Sequence, residues 1–385
     1  MTILFEVPLP PFTLEGGPPL PGLHLRGWAA GPGVEPLTPY AVSNHTPHLP
    51  IQRSPSELRA LWSSPFDAQL DPDIPTVLVV HALTADAVAG GEGGWWAPVI
   101  GPGRAIDTDT TRVLCFNNLG SCYGSFGPDD PGFPRWSEYQ SGGPEWRGVP
   151  ITSWDQARAI LRALDALGVT QVERAFGGSI GGMITFALQA LQPTRFNALT
   201  VIGTDSRATP WVIGWNQVGR EAILADPDGG LNLARQLAHL SYRANPGLEM
   251  RQARQTAGDQ PWSVFHQYSM GSYLAHHGRK LTGRFSPAAY LTMIDAMDHH
   301  DVDRSLEPDG DESWSNSAPW GSKRLHDVHC VGLSTDQLFP AIRLKELATT
   351  IPRGSYAEVA SPHGHDAFLL AWDELIPVLY PKEEI

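Results

Sequence analysis

Short unbroken apolar runs alternate along this chain with segments whose apolar residues recur at helical spacing. Thr76–His81 (TVLVVH) and Arg112–Asn117 (RVLCFN) are runs of the kind buried on both faces of a parallel sheet, Val172–Phe176 fits a short strand, and Asn197–Gly203 (NALTVIG) is again strand-like. Between them, Ser153–Leu167 has helical periodicity, opens on a candidate N-cap at Ser153 and stops at Gly168. Gly181–Leu191 reads as an apolar helix. Strand alternating with helix predicts an α/β fold built on a doubly wound, mostly parallel sheet.

The rhythm breaks between about Ser206 and Gly321. That stretch is polar, Trp-rich and helical in pattern (Trp215–Ala225, Leu231–Arg243, Ala288–Met297), with no convincing β run. The sheet resumes at Val328–Leu333, followed by a helix near Ile342–Thr349, a short strand at Tyr356–Ala360 and a final helix over Ala367–Leu379. We therefore expect a helical lid over 206–321 that divides the core into 1–205 and 322–385. It would cover the carboxyl edge of the sheet, where open α/β sheets bind their ligands. Residues 1–75 are Pro-rich and read as loop, with short strands at Leu23–Trp28 and Tyr40–Val42.

Composition narrows the function classes. A net charge of -14 argues against nucleic acid or an anionic membrane as partner, because both need clustered Lys and Arg. The N-terminal MTILFEVPLPPFTLEGG lacks the basic and apolar regions of a signal peptide, and no stretch approaches the ~20 apolar residues of a membrane span. Cys115, Cys122 and Cys330 form neither a disulfide framework nor a metal-ligand spacing, and the scattered histidines, including His276-His277 and His299-His300, also lack ligand spacing. The expectation is a cytoplasmic protein without a bound metal or cofactor.

Chemistry enters at Gly177-Gly178-Ser179-Ile180-Gly181, a G-x-S-x-G pattern between a predicted strand and a predicted helix. In that setting the serine sits on a strained turn, its Oγ at the tip, and the glycines keep Cβ atoms out of the crossing. Alone, the pattern is common enough to be an incidental Gly-rich turn. Its partners change the reading. Asp336 follows the strand Val328–Leu333, and His365 follows the next strand, so the chain order is Ser, Asp, His at three strand ends. His365 would take the proton of Ser179, and Asp336 would fix the imidazole tautomer. His363 is a rival base two residues away, disfavoured by the Gly364 and Asp366-Ala367-Phe368 that flank His365. Backbone N–H groups of Ile180 and of Leu83, in the loop after the first predicted strand, would hold an oxyanion. His81 reads as structural.

Taken together, these motifs resemble the homoserine O-acetyltransferase family. The matching blocks are HALTAD (81–86), GGWWAPVIGPGRAIDT (93–108), NNLGSCYGSFGP (117–128), GGSIGGM (177–183), NQVGREAI (216–223), SYL (272–274), HHDV (299–302), TDQLFP (335–340) and GHDAFL (364–369). Ile180 stands where the family usually has Met, Ala85 where it has Gly, and Gln337 where Trp is common. The resemblance implies an α/β-hydrolase fold and acyl transfer from acetyl-CoA to the hydroxyl of L-homoserine through an acyl-serine. It implies that Arg220 pairs with the substrate α-carboxylate, that Asp366 holds its ammonium, and that the lid helices make a homodimer. Without the resemblance, Arg220 reads as a solvated helix residue. Relatives that use succinyl-CoA carry an arginine two residues after the triad acid; here that position is Leu338. L-Serine as acceptor, and a carboxylesterase or thioesterase of the same fold, stand as alternatives.

Overall fold

The computed structural model describes residues 2–15, 19–34, 70–139, 144–256, 268–304 and 327–381. Its main sheet has eight strands: β1 (Thr2–Leu9), β2 (Leu23–Ala30), β3 (Thr76–Val80), β4 (Arg112–Phe116), β5 (Val172–Gly178), β6 (Phe196–Ile202), β7 (Asp327–Leu333) and β8 (Gly354–Val359). Their spatial order is β1-β2-β4-β3-β5-β6-β7-β8. From β4 to β8 every neighbouring pair is parallel, and only β2 runs against its neighbours.

The pair β1–β2 corrects the reading of the N-terminal region as loop. Ile3, Phe5, Val7 and Leu9 alternate onto one buried face, while Glu6 pairs in register with Arg26 across the other. Pro8 obscures this period-2 pattern. It is tolerated because β1 is the edge strand, where a missing N–H breaks no ladder. The expected strand at Leu23–Trp28 is present and runs on to Ala30; the one at Tyr40–Val42 lies outside the described residues.

Side-chain alternation within the strands feeds two cores. Leu78, Val80, Leu114 and Leu199 face one cluster, with α1 (Ser153–Ala166) and α2 (Ile180–Leu191). Val77, Val79, Val113 and Ile202 face the other, with Trp96 and the C-terminal turns. Every residue of α2 is buried, which explains its unbroken apolar run. The N-cap of α1 is Thr152 rather than Ser153: its hydroxyl accepts from the Asp155 N–H, and the Asp155 carboxylate accepts from the Thr152 N–H, a reciprocal capping box.

Between β6 and β7 the described residues form five helices: α3 (Pro210–Ala225), α4 (Gly230–Tyr242), α5 (Asn245–Gln252), α6 (Ser269–Thr282) and α7 (Pro287–Asp298). The apolar periodicity of the sequence points to α3, α4 and α7 but not to α6. Ala288–Met297 of α7 is wholly buried, so this helix belongs to the core rather than to a cover. After β7 come α8 (Ala341–Thr350) and β8. The single helix expected over Ala367–Leu379 is broken into Ala367–Leu370, Trp372–Leu375 and a 3₁₀ turn at Ile376–Val378. Ala371 leaves the helical region (φ −101°, ψ 64°), and Pro377 can donate no helical hydrogen bond.

Candidate active site

The residues named from the sequence lie where the parallel strands end. β5 finishes at Gly178, and Ser179 turns the chain directly into α2 with φ 58° and ψ −128°. Ser179 and Ala253 are the only non-glycine residues with positive φ among the described residues. Such a conformation costs of order 1–3 kcal/mol and persists only where its surroundings impose it. The imposition is visible. A Cβ on Gly177 would run into the Gly181 carbonyl, and one on Gly181 into the Val80 carbonyl. The Ser179 N–H is tied to the Ile202 carbonyl at 3.0 Å. The elbow is thus wedged between β3 and β6.

Asp336 and His365 meet at this edge. Asp336 Oδ2 accepts from His365 Nδ1 at 2.7 Å, while Oδ1 accepts the N–H groups of Leu338 and Phe339 at 2.8 and 2.9 Å. Both carboxylate oxygens are therefore fixed, and both residues are buried. Burial by itself pulls the His365 pKa down. The charge of Asp336 and its hydrogen bond, with the charge of Asp366, more than offset this, so the imidazole ends above its ordinary value. Phe339, Tyr242 and Phe368 surround the ring, at centroid distances of 5.2, 5.7 and 5.7 Å. His363, the rival base, makes no hydrogen bond to Asp336 among the described residues.

Three supports were not evident from the sequence. The Thr335 hydroxyl donates to the Ser361 carbonyl at 2.7 Å and accepts from the Gly364 N–H at 3.0 Å, clamping the acid loop to the base loop. Gly203 ends β6 with φ 51°, and a Cβ there would lie 2.8 Å from Leu333 Cδ1, 3.3 Å from Asp336 Oδ2 and 3.5 Å from His365 Cε1. Gly364 has φ 65° and packs so closely on the turn after α4 that a Cβ would meet the Ala244 nitrogen and the Tyr242 oxygen at 2.7 Å.

On the other side of the elbow, Ile180 is the first residue of α2, where backbone N–H groups lack intrahelical partners and the helix dipole favours negative charge. Leu83 follows β3, and its N–H, like that of Ile180, is taken by no other group among the described residues. The loop is held from two directions. His81 Nδ1 donates to the Ala82 carbonyl at 2.8 Å and its Nε2 accepts from the Asn118 N–H at 3.0 Å. Burial pushes its pKa down to about 4, so His81 is a neutral strut. From the insertion, Arg284 donates to the Thr84 carbonyl at 2.6 Å and meets the Tyr123 hydroxyl.

The two residues assigned to the acceptor through the resemblance are not brought together. Arg220 lies on α3 and is engaged by Asp295 (3.0 Å) and Asp298 of α7, with Gln217 beside it. Its guanidinium is paired within the fold rather than solvated. Asp366 instead faces Arg243, whose Nε is 3.0 Å from Asp366 Oδ2. One turn after another along α4, Arg235 and Tyr242 share a face: the Arg235 guanidinium lies over the Tyr242 ring at 5.6 Å, and Tyr242 is the residue beside His365. Arg235 is half-buried and has no carboxylate partner among the described residues. The i, i+7 spacing of Arg235 and Tyr242 was the available signal for this face.

Another Ser–His contact, Ser153 Oγ to His300 Nδ1 at 2.8 Å, is not a second centre. No carboxylate accepts from that imidazole among the described residues, and burial pushes its pKa down to about 3. The three cysteines are free and buried; burial drives Cys122 and Cys330 up to about 12, far from a reactive thiolate. Among the described residues, no cluster of three His, Cys, Asp or Glu is placed to hold a metal, and no helix is long and apolar enough to cross a membrane.

Comparison with known proteins agrees with this architecture. Residues 75–371 match the family model of the α/β-hydrolase fold. A homoserine O-acetyltransferase of Moorella thermoacetica is 36% identical over 334 residues, covering 79% of this chain and 85% of that protein. The crystal structure of a homoserine O-acetyltransferase from Staphylococcus aureus is 25% identical, with a TM-score of 0.72 over 99% of this chain and 94% of that one. Esterase E22 superimposes with a TM-score of 0.74 over 98% and 99% of the two chains at 13% identity, which shows the fold alone. With an elbow serine, an Asp–His pair at the same sheet edge and this degree of identity over most of its length, the chain belongs to the homoserine O-acetyltransferase family of α/β-hydrolase-fold acyltransferases.

Proposed function

We propose that the protein transfers the acetyl group of acetyl-CoA to the γ-hydroxyl of L-homoserine, giving O-acetyl-L-homoserine and CoA by a ping-pong route. The observation that carries this reading is the Asp336–His365 pair, hydrogen-bonded at 2.7 Å, at the sheet edge where β5 delivers a serine held at φ 58°. Asp336 keeps the proton of His365 on Nδ1, leaving Nε2 as the base. Nε2 takes the Ser179 hydroxyl proton as Oγ attacks the thioester carbonyl. The N–H groups of Leu83 and Ile180 receive the developing oxyanion. The imidazolium then returns its proton to the leaving CoA sulfur. In the second half, Nε2 deprotonates the γ-hydroxyl of homoserine, the alkoxide attacks the acetyl-serine carbonyl, and Ser179 regains its proton.

The acceptor sits against the face formed by α4 and the His365 turn. Asp366 takes its ammonium. Arg235 takes its carboxylate in place of Arg220, since Arg235 is half-buried beside Tyr242 with no carboxylate partner among the described residues, and a guanidinium fork suits that group. The apolar Leu338 gives the acyl group no cation to pair with, which favours acetyl over succinyl. A matrix of acetyl- and succinyl-CoA against L-homoserine and L-serine, followed by CoA release, tests the assignment. CoA release from acetyl-CoA at a rate indifferent to homoserine would instead make the protein a thioesterase. Near-native turnover by Ser179→Ala would end the acyl-serine route.

Trp211 and Val218 of α3, Leu233 of α4 and Met250 of α5 expose between 53% and 78% of their surface. An apolar face of this kind supports a homodimer through these helices, which sedimentation of the purified protein checks. Use of a CoA thioester and three reduced thiols fits a cytoplasmic setting.

A further inference from the structure

The acceptor face carries more positive charge than a single carboxylate-binding arginine would supply. Arg235 and Arg243 both sit on the α4 side of His365, against one carboxylate, Asp366. The placement of Arg243 is rigid. It directly follows α4, and Gly364, two residues before Asp366, lies so close to the 242–244 backbone that no side chain fits between. Gly247, in α5, approaches the Pro362 carbonyl in the same way. The guanidinium and carboxylate are largely buried, with side-chain exposures of 11% and 15%. Their contact is nevertheless loose. Nε of Arg243 is 3.0 Å from Asp366 Oδ2 but is not aligned for a hydrogen bond with any group. Arg243, Asp366, Arg251 and Arg235 all act electrostatically on Tyr273, so Arg251 is a further cation near this face.

We propose that Arg243 is a specificity-determining residue that makes the site select a zwitterion. The inference rests on the acyl-transfer reading above. In the free protein Arg243 occupies Asp366, the carboxylate that the acceptor ammonium needs. An incoming ammonium displaces the guanidinium, which would be left as a largely buried, unpaired cation, a costly state. An acceptor that also brings a carboxylate supplies the partner Arg243 has lost, and the guanidinium joins Arg235 on that group. A compound with an ammonium but no carboxylate strands Arg243. A compound with a carboxylate but no ammonium leaves the Arg243–Asp366 pair in place and gains Arg235 alone. Only the zwitterion engages Arg235, Arg243 and Asp366 at once without stranding a cation.

The test uses the purified full chain with acetyl-CoA, measuring kcat/KM for L-homoserine, 3-amino-1-propanol (no carboxylate) and 4-hydroxybutyrate (no ammonium). The wild type prefers homoserine to both. Arg243→Leu lowers kcat/KM for homoserine about tenfold or more, chiefly through KM, as expected for a lost charge-assisted contact. It leaves 3-amino-1-propanol unchanged or improved, since Asp366 is then open. The homoserine to aminopropanol ratio therefore falls at least about tenfold. Arg243→Lys, which retains the cation, holds that ratio nearer the wild-type value. Labelling of Ser179 by a fluorophosphonate reports an intact site; if Arg243→Leu is not labelled, Arg243→Gln, neutral and close in reach, is held to the same criterion. A ratio within about twofold of wild type in the labelled neutral variant overturns the role of Arg243. Absence of homoserine-dependent CoA release in the wild type overturns the acyl-transfer reading itself, so the two failures are distinct.

Discussion

Replacing Asp336 by Asn tests the centre at one hydrogen bond. Oδ1 of Asp336 accepts from two backbone N–H groups, so the amide oxygen of an asparagine is held in that place and its NH₂ group takes the position of Oδ2. That NH₂ now points at His365 Nδ1, which must become the acceptor. The imidazole proton moves to Nε2, the nitrogen that has to receive the proton of Ser179. The volume is unchanged and the backbone hydrogen bonds survive, so the fold loses little while the base is held in the wrong tautomer. Removing the orienting carboxylate of a serine–histidine pair in this way costs about 10⁴ in kcat, and we expect a loss of about 10³–10⁴ here. The pH profile moves in a defined direction. In the wild type, Asp336 and Asp366 raise the His365 pKa against burial, and kcat/KM falls as pH drops through that raised value because the base becomes protonated. Without the Asp336 charge, burial dominates, and the acid limb of the remaining activity shifts to lower pH. The stabilising interaction with charged His365 runs oppositely: it is fully present below the unfolded value near 6.5 and is lost as pH rises through the folded pKa. Steady-state CoA release from pH 5 to 9, with urea unfolding at each pH, reads both. A variant within tenfold of wild-type kcat, or an acid limb that moves upward, would refute the role of this pair.

Four other substitutions separate positioning from structure. Arg220→Met leaves Asp298 without its cation and Asp295 with Arg147 alone, so it should cost about 3 kcal/mol of stability, the low end for breaking a buried pair, while KM for homoserine stays near the wild-type value; Arg235→Met should do the reverse, raising KM about tenfold or more with little change in unfolding midpoint. Gly203→Ala puts a methyl 2.8 Å from Leu333 and 3.3 Å from Asp336 at a positive φ; unfolding should show about 1–2 kcal/mol of backbone strain and kcat should drop more than KM changes. Arg284→Met releases the Thr84 carbonyl next to Leu83, and an oxyanion N–H displaced by a fraction of an ångström should lower kcat about tenfold with KM for homoserine retained.

The parts of this molecule legible in the sequence are those whose signal is local. β3, β4, β6 and β7 announce themselves because strands buried on both faces are largely apolar. The elbow is legible because a serine at positive φ between two carbonyl-crowded glycines needs that five-residue spelling. β1 is less so: its alternation is interrupted by Pro8, acceptable only because the strand is at an edge, and edge position is a tertiary fact. The C-terminal helix is overestimated for a related reason, since one Ala371 torsion and Pro377 break a periodic apolar stretch that otherwise reads as continuous.

Arg220 and Arg235 show where local reading ends. Both lie in helices of one insertion, α3 and α4, at half-buried positions. Nothing in either helix states which neighbour its arginine will meet. α7 answers for Arg220, presenting Asp295 and Asp298 from its buried C-terminal half. The loop after β8 answers for α4, because Gly364 lets the His365 turn press against the 242–244 backbone. Side chains four to seven residues apart on α4 are thereby aimed at the catalytic edge, whereas α3 faces away into an ion-pair cluster. A guanidinium held by two carboxylates already has its charge compensated within the fold. A guanidinium over an aromatic ring, with no carboxylate partner among the described residues, has a charge in reserve. The charge left unpaired within the fold, rather than the sequence block that contains an arginine, is what marks the place where a charged acceptor can bind.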